Sequence, residues 1–111
     1  MTHHTSYRKE KLPELLKRLA AEFIEREYNS PSLVTVTGAN ISTNQKNVDI
    51  LYTVLPDKDE GVVKKFLDLN NNNFIEFIDS HARIGRMPSI RFLLDIGEKN
   101  RQRIEEISKE S

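Results

Sequence analysis

Residues 57–85, DKDEGVVKKFLDLNNNNFIEFIDSHARIG, decide the fold. Asp57 with Glu60 three residues later reads as a capping box. Val62, Val63, Phe66 and Leu67 then fall on one face of a short helix. Asn70 to Asn73 follow, four consecutive amides that compete for the backbone and disfavour a helix interior. Asn73 with Glu76 gives a second capping box. Phe74, Phe77, Ile78 and Ala82 restore the helical period, with Gly85 placed as a left-handed stop and Pro88 just beyond. The stretch predicts two helices separated by a break four amides wide.

Upstream, Leu33 to Ser42 and Val48 to Val54 are strand patterns. Val34 and Val36 alternate with Thr35 and Thr37, and Gly38-Ala39 predicts a bulge or bend. Val48, Ile50, Tyr52 and Val54 share one face of the second strand. The polar residues 43–47 join the two as a hairpin. Before them, Leu12, Leu15, Leu16, Leu19, Phe23 and Ile24 mark a helix that ends at Asn29-Ser30-Pro31, with Pro13 tolerated in its first turn. Downstream, Ile90, Phe92 and Leu94 alternate with Arg91 and Leu93 as a third strand. Asp95 with Glu98 caps a last helix whose apolar anchors are Ile104 and Ile107. The order is α-β-β-α-break-α-β-α. It predicts an α+β domain with a three-stranded sheet and helices packed on one face. The other face, with Thr35, Thr37, Asp49, Thr53 and Arg91, is expected to stay in water.

The chain has 111 residues, which sets one domain, 1–111, as the expectation. Residues 1–7 are expected to be disordered and the helix over 98–111 to dock weakly. Cysteine is absent, which excludes disulfide scaffolds, thiol catalysis and cysteine-based zinc sites. His3 and His4 lack a third ligand, so no metal and no cofactor is expected. No apolar run suggests a membrane span or a secretory leader, and a cytoplasmic location is expected. The 17 Lys and Arg balance 17 Asp and Glu, but unevenly. Residues 57–79 carry a net −3 and residues 80–95 a net +2, so an anionic partner should meet the second block.

Arg83, Arg86 and Arg91 in that block could meet an anionic partner, because a guanidinium fork matches phosphate oxygens and stacks on bases, and it is the family resemblance described below that makes RNA contact the favoured reading. The bland alternative is a solvated face paired with Asp79, Asp95 or the acidic helix. Arg8, Lys9 and Lys11 before the first helix, Lys46 at the hairpin tip and Lys64 and Lys65 near the break are further candidates. Each of these also reads as ordinary solubilising charge. Asn71, Asn72 and Asn73 are either a turn device or a contact loop. Phe74, Phe77 and Tyr52 read as core, and His81 as a helix-end surface residue. Ser80 and His81 are adjacent on a helix and should not face each other. Phosphate-binding glycine loops, HExxH and dinucleotide fingerprints are all absent, and an enzyme is not expected.

This order resembles the type II KH domain, and more closely the ribosome-binding factor A family. The carriers are Arg8-x-x-Lys11-Leu12, Ser30-Pro31-Ser32-Leu33 and Ile41-Ser42-Thr43-Asn44, where the family usually has Ser-x-Asp. The most specific is the run from Arg83 through Arg86, Pro88, Ile90 and Phe92 to Asp95. It looks like the family's arginine-rich segment entering a Pro-x-Leu-x-Phe-x-x-Asp strand. Where the family carries Ala-x-Gly at the helix break, Asn71-Asn72-Asn73 stand here. The resemblance implies a monomeric, non-catalytic assembly factor that binds the small ribosomal subunit and its rRNA during late maturation and rRNA processing, alongside other assembly factors. The alternative is a small α+β protein-interaction module without RNA binding. Salt separates the two, because phosphate contacts weaken steeply as salt rises.

Overall fold

The computed structural model describes residues 11–110. Helix α1 spans Leu12–Glu27, with Pro13 in its first turn, and buries Leu15, Leu16, Leu19, Ala20, Phe23 and Ile24. Strands β1 (Leu33–Ile41) and β2 (Asn47–Leu55) form the antiparallel hairpin. Their register shifts between Val36 and Gly38, which leaves Thr37 as the extra residue of a bulge, one position before the glycine. A 3₁₀ turn (Asp57–Asp59) leads into α2 (Glu60–Leu69) and α3 (Asn71–His81). Strand β3 (Ser89–Leu94) returns parallel to β2, so the mixed sheet runs β1-β2-β3. Helix α4 covers Ile96–Glu110.

The core is the inner sheet face closed by α1, α2 and α3. Val48, Ile50, Tyr52 and Val54 from β2 and Ile90 and Phe92 from β3 are buried, as the alternation predicts. Rings link the layers: Phe74 lies 5.3 Å from Phe23 and 5.4 Å from Phe92, centre to centre. Tilted rings at such spacing add to area burial. Phe74 is fully buried, while Phe77 is half-buried under His81 and Arg26.

Several local expectations are corrected. The break is one residue wide, because Asn70 alone leaves helical geometry and Asn71 to Asn73 form the first turn of α3. Neither capping box forms. Asp57 pairs with Arg103 at 3.2 Å and Glu60 with Lys99 at 2.8 Å, so long-range partners take both carboxylates, while Asn73 lies inside the first turn of α3 with its side chain donating to Asn70. Gly85 is no left-handed stop, since no described glycine has positive φ. Helix α3 ends at extended Ala82, which frees Ile84 and Met87 to pack against the core.

Thr53 is buried rather than wet, because Lys99, Gln102 and Arg103 of α4 lie over that end of the outer sheet face. Ser80 and His81 do meet, with Oγ 2.9 Å from Nδ1, because both turn toward the Phe77 carbonyl at the helix end. Ile104 is not an anchor: it is 64% exposed, and α4 docks through Lys99 and Arg103 on Asp57 and Glu60. The side chain of Ile107 and residues 1–7 lie outside the described residues. The Asp95 cap forms as predicted, accepting the Glu98 amide at 3.0 Å.

Candidate nucleic-acid interface

The hairpin tip is built around Asn44. Its side-chain oxygen accepts from the Ser42 hydroxyl at 2.7 Å and from the Lys46 amide at 3.0 Å. The Ser42 hydroxyl oxygen in turn accepts the Asn47 amide at 3.1 Å. Gln45 takes a left-handed conformation, φ 62°, which completes the tight turn. The turn uses the acceptor oxygen of Asn44, so an amide serves here as well as a carboxylate. Using an amide also keeps negative charge away from Lys46.

The Lys46 carbonyl accepts the Ser89 amide at 2.8 Å, which ties the tip to the start of β3. The extended connection over residues 82–88 is thereby held beside the tip. A groove of about 330 Å³ results, lined by Leu12, Asn44, Gln45, Lys46, Ile84, Gly85 and Arg86. Among the described residues its lining holds two cations and no carboxylate. Lys11, adjacent to Leu12, sits exposed at the mouth of α1. Arg83 is exposed on the same connection.

A second depression of about 610 Å³ opens on the outer sheet face at the same end, where Asn40, Ser42, Asn47, Asp49, Ser89 and Arg91 converge. Arg91 is not paired with Asp79 or Asp95. It grips Asp49 with both Nε (3.0 Å) and Nη2 (3.2 Å), across the β2–β3 pair in which the two residues are partners. That carboxylate holds the guanidinium pKa above its ordinary value. The arginine side chain is 68% exposed, and so exposed a pair adds little to stability. Opening that pair to turn the guanidinium outward therefore costs little.

The other candidates fall elsewhere. Lys64 is paired with Asp68 along α2 at 3.2 Å, and Lys65 is exposed on the same helix; neither lines either groove. Asn71 donates to the Ile90 carbonyl at 3.0 Å and pins the break to β3. Asn73 donates to Asn70, and Asn70 to the Phe66 carbonyl, so these amides hold the turn. Asn72 is exposed. Arg8 and Lys9 lie outside the described residues. The sequence reading missed Leu12 and Ile84 as the apolar lining of the groove. Their helix and core patterns gave no hint that the hairpin tip would reach them.

Residues 8–108 match the family model described as Ribosome-binding factor A. The chain is 27% identical over 103 residues to Ribosome-binding factor A of Thermobifida fusca, covering 90% of this chain and 68% of that protein. It is 27% identical over 106 residues to the protein of the same name from Pseudothermotoga lettingae, covering 91% and 88%. The fold is similar to the crystal structure of ribosome-binding factor A from Thermus thermophilus, with a TM-score of 0.66 and 22% identity over 75% of this chain and 91% of that one. That likeness carries the KH-like α+β architecture. With a model match running from before α1 to within α4, the chain belongs to the ribosome-binding factor A family.

Proposed function

We propose that this chain binds the small ribosomal subunit during late maturation and grips its rRNA at the hairpin-tip end of the sheet. The family's name supports a ribosome-binding assembly factor. The observation that carries the site is the groove in which Lys46 and Arg86 converge over Leu12 and Ile84 with no acid among the described lining residues. A neutral chain cannot hold RNA by bulk charge, so a local acid-free cluster has to do it. Arg86 offers a planar fork to phosphate, and the Leu12 and Ile84 side chains offer an apolar surface to a base or ribose. Arg83, Lys11 and Arg91 extend the contact to either side. The ridge expected along β3 thus becomes a cluster around the hairpin tip and the α3–β3 connection. On this reading Lys64, Lys65 and the asparagine break stay outside the contact.

The chain acts by binding alone, as a cytoplasmic monomer without a cofactor, and meets other assembly factors on the subunit. No helix among the described residues is long and apolar enough to cross a membrane.

Co-sedimentation with small and large subunits across a salt series tests this. Selective association with the small subunit should weaken as salt rises, by about 0.7 log units per decade of salt for each phosphate contacted on single-stranded RNA. Lys46→Glu with Arg86→Glu should flatten that slope by about 1.4 and abolish association at moderate salt, with the fold intact by circular dichroism. Unchanged association would remove the site. Association insensitive to salt would favour the protein-interaction module.

A further inference from the structure

The sheet has two edges, β1 and β3. At the β3 edge, the Asn71 side chain bonds the Ile90 carbonyl. Among the described residues no backbone group pairs with the outer side of β1, whose nine residues, LVTVTGANI, carry neither a charge nor a proline. Edge strands are normally blunted by one or the other.

The first half of that edge faces a groove of about 420 Å³, whose far wall is Ala21, Ile24, Glu25 and Tyr28 of α1. On the opposite face Leu33, 59% exposed, sits across from Leu55, 44% exposed. A strand added here would find apolar neighbours on both faces. Glu25 is exposed at the groove and has no ion-pair or hydrogen-bond partner among the described residues.

We infer that the edge Leu33–Val36 docks a short extended peptide of a partner protein, which adds as a fourth strand and presents a lysine or arginine to Glu25. Backbone pairing supplies the affinity, and alternate side chains supply selectivity. The bulge at Thr37 ends the regular ladder after four residues, enough for a peptide and short for a dimer of strands. A second copy is also the wrong occupant chemically, because its β1 has no charge to offer Glu25. The site lies at the opposite end of β1 from the hairpin tip, so it holds or fails independently of the ribosome reading.

The test is titration of isotope-labelled protein, followed by amide resonances, with three capped synthetic peptides. One alternates valine and threonine around a central lysine. The second replaces the lysine by glutamate. The third is the lysine peptide methylated at alternate backbone nitrogens. The lysine peptide should shift amides of Leu33–Val36 and of the Ile24–Tyr28 turn at sub-millimolar concentration. The glutamate peptide should bind about two- to fivefold more weakly, and Glu25→Lys, a surface change, should reverse that order. Methylation should abolish the shifts. Equal binding by the methylated peptide, shifts confined to other surfaces, or none up to millimolar peptide would overturn the proposal. So would concentration-dependent self-association that protects the β1 amides without peptide, because it would make a second copy the occupant.

Discussion

Asp95 joins three parts of the molecule, so its removal should be felt well beyond its own turn. One carboxylate oxygen caps α4 through the Glu98 amide at 3.0 Å, and the other accepts from Thr37 Oγ1 at 2.6 Å, at the β1 bulge. Its own amide donates to the Tyr52 carbonyl. Asp95→Ala deletes both side-chain bonds and leaves the amide in place. Loss of a cap acceptor costs about 1 kcal/mol. Loss of a hydrogen bond to a charged acceptor costs about 1.5 kcal/mol, less where water can replace it. The expected total is about 2 kcal/mol, or a fall in Tm of about 8–15 °C for a domain of this size. Asp95→Asn keeps a cap acceptor and should lose about 0.5 kcal/mol.

The Thr37 hydroxyl, and then the Glu98 amide, hold the Asp95 carboxyl below its usual range. A group depressed in the folded state stabilises above its unfolded pKa, and that stability is lost as pH falls through the folded value. Wild type should therefore weaken below about pH 4 more steeply than Asp95→Asn, which has nothing to protonate there. Urea unfolding of wild type, Asp95→Ala, Thr37→Val and the double variant measures the coupling. Thr37→Val should cost about 1 kcal/mol in wild type and little in the Asp95→Ala background. Equal cost in both backgrounds, or an Asp95→Ala chain as stable as wild type, would refute this account of the clip.

Lys99 Nζ lies 2.8 Å from Glu60 Oε2, at ion-pair distance but off hydrogen-bond alignment, and that oxygen is buried. Lys99→Met should therefore cost about 1–3 kcal/mol and speed amide exchange along α4, with Glu60→Gln recovering part of the loss. Asn71→Ala, which frees the Ile90 carbonyl, should cost about 1 kcal/mol in urea unfolding, while Asn72→Ala stays within about 0.5 kcal/mol of wild type. If the two are alike, the amide is not what pins the break to β3. Arg91→Ala should leave the urea-unfolding midpoint nearly unchanged, its Asp49 pair being exposed, and should still weaken co-sedimentation with the small subunit.

The parts of the fold that follow from local pattern were legible in the sequence. The apolar stripe of α1, the alternation in β2 and β3, and the Asp95 cap each depend on residues within a few positions of one another. The misreadings share one cause: a distant partner displaced the local one. Asn71 to Asn73 are weak helix formers, yet they enter α3 because burying Phe74 and Ile78 and bonding Ile90 outweigh propensity. Asp57 and Glu60 have capping-box spacing, but Arg103 and Lys99 of α4 take their carboxylates instead. Thr53 alternated correctly with its polar neighbours. It is buried because α4 crosses back over that end of the sheet, which no spacing within β2 could announce.

The same logic governs the candidate site. The excess of arginine over residues 80–95 was visible as a sum, but a sum does not say which cations are already neutralised. Arg91 meets Asp49 from 42 residues away, in a pairing fixed by the parallel register of β2 and β3. Lys64 is neutralised within its own helix turn. Lys46 and Arg86 belong to segments with no sequence relation, and the Ser89 amide bond to the Lys46 carbonyl is what sets them side by side. Electrostatic selectivity in a chain of zero net charge thus comes from folding, which pairs some cations with acids and gathers others where acids are missing. A specific consequence is positional. Salt sensitivity of subunit binding should follow substitutions at the hairpin tip and the 82–88 connection. Charge changes on α2, though equal in sign and number, should leave it unmoved.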